Sequence, residues 1–124
     1  MTQFEDITIK INKWVSVRGW EKHQKPKDLA ISLCLEAAEV LEHFQWKNDS
    51  AVKKHVAKNR NEIADELADV GIYLFKLADK IGVDLAGVME KKLIKQAKKY
   101  PVKSRVPLGL EEYSRIKKEY RRKK

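Results

Sequence analysis

No proline interrupts residues 27 to 100. The three prolines are Pro26, Pro101 and Pro107, and of the five glycines only Gly71 lies in a helix interior. Apolar residues return with a period near 3.6, and the two-residue alternation of a half-buried strand is absent. The chain therefore reads as all-α. A first helix is expected from Phe4 to Val17, followed by the loop "RGWEKHQKP". A second runs from Lys27 to Trp46, with Pro26 just ahead of it at a favoured position. "KNDS" ends that helix, and Asp49 or Ser50 can cap the next. The third is long, Ala51 to Ile81, with a possible break between Asn59 and Asn61, and Gly82 terminates it. Asp84 caps a fourth helix that ends at Tyr100, before Pro101. "LEEYSRIKKEYRRKK" suits a last helix, with acids at its start and bases at its end. Short connections between antiparallel helices make a bundle of four main helices plus a basic C-terminal helix or tail.

The 124 residues suit one domain. The single cysteine, Cys34, forms no disulfide within the chain and reads as a small core residue. No run reaches the roughly 18 apolar residues of a membrane span, and the N-terminus lacks a signal peptide's pattern. The expected location is the cytoplasm. Net charge is unevenly spread. Residues 1–90 carry 13 Lys/Arg and 15 Asp/Glu, whereas residues 91–124 carry 14 and 3. A near-neutral body thus bears a basic end, which is either simply solvated or a contact for nucleic acid or another polyanion.

The acids of the body are placed unusually. With successive residues 100° apart, Ser32, Glu36, Glu39 and His43 fall within a stripe of about 60° on the second helix. On the third, Glu62, Asp65, Glu66, Asp69, Tyr73 and Lys76 fall within about 100°. Most of the remaining circumference of both helices is apolar, so both are expected to be mostly buried. A solvated acidic face usually carries Lys or Arg four residues after each acid. Here Val40 follows Glu36, His43 follows Glu39, Glu66 follows Glu62 and Asp69 follows Asp65. Like charges at that spacing repel, and more so as burial lowers the effective dielectric. Two readings remain, a bare acidic face and a metal site, and the second accounts for the missing cations. Carboxylate-only donors suit Mg2+, with Mn2+ also acceptable, and Mg2+ keeps positions open for water and phosphate. His43 is one turn from Glu39, but as a lone histidine it reads as a surface or rim residue.

Taken together, "EAAEVLEHFQW", "EIADELADVGIYL" and "KKYPV" resemble the MazG-like all-α nucleoside triphosphate pyrophosphatases, and within that family the small single-domain dCTP pyrophosphatase type. The resemblance covers Arg18 to Val102, so residues 1–102 would form the catalytic bundle and 103–124 the basic tail. It implies a Mg2+-dependent enzyme that splits a nucleotide, possibly dCTP or a modified pyrimidine nucleotide, between its α and β phosphates. Glu36 and Glu39 match the family's E-x-x-E metal ligands, and Glu66 and Asp69 its E-x-x-D ligands. Glu62 and Asp65 would add negative charge behind them. Trp46 and Trp20 match aromatics beside the base, and Tyr73 an aromatic following E-x-x-D. Lys92 and Tyr100 match phosphate-side positions, whereas Gln96 stands where the family has Asn. A first-helix His of the dCTP type falls at Ile11, beside Asn12. These departures bear on base choice. Glu39 is the candidate acceptor of the attacking water's proton, and Lys76, Lys95 and Lys99 are further candidates for phosphate pairing. Trp14 is expected to pack within the first helix's core face. The family forms dimers or tetramers, and two nearly all-apolar helices would leave more hydrophobic surface than one thin bundle can cover, so a homo-oligomer is expected. The rival to enzymatic function is a nucleic-acid-binding helical module that works through the basic tail.

Overall fold

A computed structural model describes residues 2–102 and 109–123. Among them there is no strand. The order is α1 (Gln3–Ser16), a 3-10 turn (Glu21–His23), α2 (Pro26–Glu42), α3 (Asp49–Lys58), α4 (Arg60–Lys80), α5 (Leu85–Lys99) and α6 (Leu110–Arg122). The chain forms two compact units, Met1–Leu85 and Ala86–Lys124. The boundary expected at residues 102 and 103 lies at the edge of a segment outside the described residues. No described helix is long and apolar enough to cross a membrane.

Local chemistry sets most of the helix ends. Thr2 and Glu5 form a reciprocal capping box at α1: Glu5 N donates to Thr2 Oγ1 at 3.2 Å, and Thr2 N to Glu5 Oε2 at 2.8 Å. Pro26 opens α2 at a position where its missing N–H costs nothing. At the end of α4, Gly82 takes φ +73°, Val83 N donates to Ala78 O and Gly82 N to Asp79 O. Those two bonds are the Schellman pattern that the glycine makes possible.

Two boundaries differ from expectation, and a third falls where a break was expected. Helix α2 stops at Glu42 rather than Trp46. His43 N and Phe44 N reach back only three residues, to Val40 O and Leu41 O, and Trp46 adopts φ +67°, a left-handed conformation that no helix continues through. The cap of α3 is Asn48, not Asp49 or Ser50: its side chain accepts from Ala51 N at 2.9 Å while its own backbone is extended. The long third helix is two helices, parted at Asn59, within the stretch where a break was expected. There φ is −116° and ψ 28°, and the Asn59 amide donates to His55 O, competing with the helical ladder.

In the first unit, α2 and α4 form the most extensive pairing, and α1 and α3 also pack on α4. The buried apolar centre is Ile11 and Val15 of α1, Leu29 of α2, and Ile63 and Ala78 of α4. This is much less than the sequence leads one to expect. Leu35 is 61% exposed and Leu41 and Leu67 each 55%, so α2 and α4 are not mostly buried in the single chain. A helix with apolar residues around most of its circumference needs neighbours on several sides, and one copy does not supply them. Cys34 is likewise exposed rather than a core residue. In the second unit, Tyr100 stacks on Tyr113 of α6 at 5.0 Å, and Lys99 lies over the Tyr100 and Tyr120 rings.

Candidate active site

The pairing of α2 with α4 brings the two acid stripes within electrostatic reach of each other. Glu36 registers the proximity. Burial first, then its contact with the Glu39 side chain, then the charges of Glu39, Asp69 and Glu66 hold its carboxyl above the usual range. Glu36 Oε2 is buried without a hydrogen-bond donor, and the buried Glu66 Oε2 has no partner but His43 Nε2. Buried acceptors in folded proteins are nearly always satisfied, so an orphaned carboxylate oxygen needs an explanation. As the side chains stand, no three Asp, Glu, His or Cys among the described residues are gathered to metal-ligand spacing. Like charges lacking a cation between them have no reason to close up. The donor set is carboxylate oxygen, the buried Glu36 Oε2 lacks a hydrogen-bond donor, and among the described residues no Lys or Arg forms an ion pair with the four acids. A hard divalent cation fits such a set.

A consequence for stability follows. Glu36 is easier to ionise in the unfolded chain than in the folded one, so its protonated form stabilises the fold. That contribution is complete below the ordinary carboxylate pKa and is lost as pH rises through the folded-state value. With chelator present, Glu36→Gln should melt above the parent at neutral pH, and the gap should close in acid. Thermal melts across pH check this.

Beside the acids lies a cavity of about 450 Å3 lined by Lys10, Ile11, Trp14, Trp20, Gln24, Asp69, Ile72, Tyr73 and Lys76. It joins four residues predicted from sequence, Trp20, Asp69, Tyr73 and Lys76. Trp14 and Trp20 meet edge to face at 5.1 Å. Lys76 Nζ lies 4.8 Å from the Tyr73 ring centre and 5.6 Å from that of Trp14, and burial lowers its pKa. The cavity thus has aromatic walls, a cation, and one carboxylate shared with the acid cluster. That combination suits a flat, polar ring attached to a charged group.

Trp14 is 46% exposed and forms part of the cavity wall, instead of packing into a core. Its edge contact with Trp20 and the Arg18 guanidinium 4.1 Å over its ring hold it there. Sequence reasoning also missed Gln24, whose buried Oε1 has no donor; a glutamine in a charged loop gives no periodic signal. His43 is not a rim residue. Its side chain is 12% exposed and reaches both His55 and Glu66. Of the other predicted residues, Glu39, Glu62 and Asp65 are exposed, and Glu62 acts on His55 through its charge. Trp46 is 94% exposed and outside the cavity lining. Ile11 lines the cavity, and Asn12 is bound to Asp79 at 3.0 Å. Lys92, Gln96 and Tyr100 belong to the second unit. Lys92 and Gln96 lie one turn apart on α5, and Tyr100 N donates to Gln96 O at 2.8 Å.

Residues 31–118 match the model of the MazG-like family. The chain belongs to that family. It is 35% identical to dCTP pyrophosphatase 1 of Rattus norvegicus over 100 residues, 79% of this chain and 59% of the relative. Against the Homo sapiens protein of the same name it is 33% identical over 99 residues, 78% of this chain and 58% of the relative. The MazG-like chain therefore spans under two thirds of the length of these curated relatives. A crystal structure of a pyrophosphatase from Archaeoglobus fulgidus is similar at a TM-score of 0.77 and 32% identity, over 82% of this chain and 94% of the other.

Proposed function

We propose that this MazG-like chain is a Mg2+-dependent nucleoside triphosphate pyrophosphohydrolase that converts a (d)NTP to the monophosphate and pyrophosphate, acting on dCTP or a modified pyrimidine nucleotide in control of the nucleotide pool. The observation that carries this reading is a buried, donorless Glu36 oxygen, with a buried Glu66 oxygen that meets His43 alone, beside an aromatic cavity that shares Asp69 with the acids. The relatives named dCTP pyrophosphatase 1 support the substrate class.

Glu36, Glu39, Glu66 and Asp69 would hold the ion. Bound there, Mg2+, or Mn2+ in its place, would neutralise phosphate charge and acidify water. Glu39, the more exposed acid of the α2 pair, accepts the proton of the water that attacks the α-phosphorus, and pyrophosphate leaves. Glu62 and Asp65 add negative charge behind the ligands. Trp14, Trp20 and Tyr73 hold the base, and Lys76 balances charge between cavity and acids. Lys92, Gln96 and Tyr100 serve the phosphate end, as their match to the family's positions suggests. Trp46 reaches the base only from a pocket completed by another copy. The exposed Leu35, Leu41 and Leu67 favour such a homo-oligomer, dimer or tetramer, since apolar surface of this kind drives association. Light scattering at micromolar concentration should give a mass at least twice that of the chain.

The direct test incubates the protein with each (d)NTP and Mg2+ and separates the products. Monophosphate and pyrophosphate in equal amounts are expected. Release of single phosphates, or no turnover of any nucleotide, would rule the reading out.

A further inference from the structure

Three polar side chains unused by the proposed hydrolysis form a row that ends at Glu66. Asn59 Nδ2 donates to His55 O at 3.1 Å and lies 3.1 Å from His55 Nδ1. His55 Nε2 is 2.7 Å from His43 Nδ1, and His43 Nε2 is 2.5 Å from Glu66 Oε2.

Hydrogen-bond chemistry assigns the protons along this row. A backbone carbonyl only accepts, so the part of the Asn59 amide that meets His55 O is its NH2. The same nitrogen faces His55 Nδ1, which must then present its lone pair. A neutral imidazole carries one N–H, so that of His55 sits on Nε2 and donates to His43 Nδ1. The single proton of His43 is left on Nε2, against Glu66. Among the described residues Glu66 Oε2 has no other donor, and two lone pairs would not sit at 2.5 Å, so the contact fits the proton that the row assigns. Burial, then the charge of Lys47, lower the pKa of His55, in keeping with a neutral ring.

We propose that Asn59, His55 and His43 form a one-way hydrogen-bond chain that presents an N–H to Glu66 and pins its Oε2, making the three positioning residues for the acid cluster. The break between α3 and α4 then has a use beyond topology. It puts an amide donor where a continuous helix would have none to spare. The purpose rests on the function proposed above; the proton arrangement does not. Groups that orient a metal-ligating side chain typically matter 10- to 100-fold, as an order of magnitude, in metal affinity or activity.

The test has two arms, both on the full chain. In the metal-free protein at mildly alkaline pH, long-range 1H–15N correlation of the imidazoles should show His43 and His55 protonated at Nε2 alone. A proton on Nδ1 of either ring overturns the chain. Asn59→Asp offers only acceptors, so His55 Nδ1 should gain a proton; an unchanged spectrum from a folded variant also overturns it. In the second arm, binding of Mn2+ alone is followed by electron paramagnetic resonance. The parent should bind, and Asn59→Asp and His43→Gln should bind about 10- to 100-fold more weakly. Equal affinity in parent and variants defeats the positioning role while leaving the metal site intact. A parent that binds no Mn2+ defeats the proposed function, and with it any purpose for the chain, whatever the tautomers are.

Discussion

Glu39→Gln should lower kcat for pyrophosphate release by about 100- to 10,000-fold, the range for loss of a positioned general base. The substitution keeps shape and hydrogen-bonding capacity and removes the charge and the basic oxygen. Glu39 is exposed, and its only role in the fold is to press on Glu36, so the variant should fold and melt no lower than the parent. Glu66→Asn, which shortens the side chain and withdraws it from His43, should lose activity by a different route, with weaker Mn2+ binding as well as slower turnover. Glu39 would also hold the ion, so proton acceptance is read from the kcat that stays lost in Glu39→Gln when the metal is saturating. If Glu39→Gln retains full rate in steady-state assays with saturating Mg2+, the base is another group and the assignment fails.

The acid stripes were legible because charge at helical spacing is a direct readout of helix faces. Glu36 and Glu39 needed only the 3.6 period to be placed together, and the missing Lys and Arg supplied the chemical argument. That α2 and α4 face each other is a tertiary fact, though one that two apolar helices with matching polar stripes make easy to anticipate. The end of α2 was not legible. "HFQW" contains no helix breaker, and it is the tightened turn at His43 and Phe44 and the left-handed backbone at Trp46 that stop the helix. Neither was Trp14, since an aromatic one turn from apolar neighbours looks the same in a core and on a cavity wall. The burial of the helices was overestimated because periodicity reports which faces are apolar, not whether the chain itself covers them. His43 was misread for a related reason. Its partner His55 lies on a separate helix twelve residues on, and no local pattern connects them.

Trp20→Ala should raise KM for the preferred nucleotide by about 5- to 150-fold, the factor that corresponds to the roughly 1–3 kcal/mol of one stacked base, with kcat nearly unchanged. Trp20 sits in the connection ahead of the 3-10 turn, 43% exposed, and meets Trp14 edge to face. Little of the fold depends on it, so its loss should appear in binding rather than in stability. A uniform loss of ground-state and transition-state binding raises KM alone, and that is the expectation for a residue gripping a base several bonds from the reacting phosphorus. Trp20→Phe should recover most of the affinity, because a smaller ring still stacks. The penalty should also be similar for each nucleotide that is turned over, since stacking distinguishes bases poorly; discrimination must then come from polar groups in the cavity, where Gln24 Oε1 is an acceptor lacking a donor. A fall in kcat with KM constant would move Trp20 out of the base pocket, and a drop in melting temperature without either would make it a packing residue.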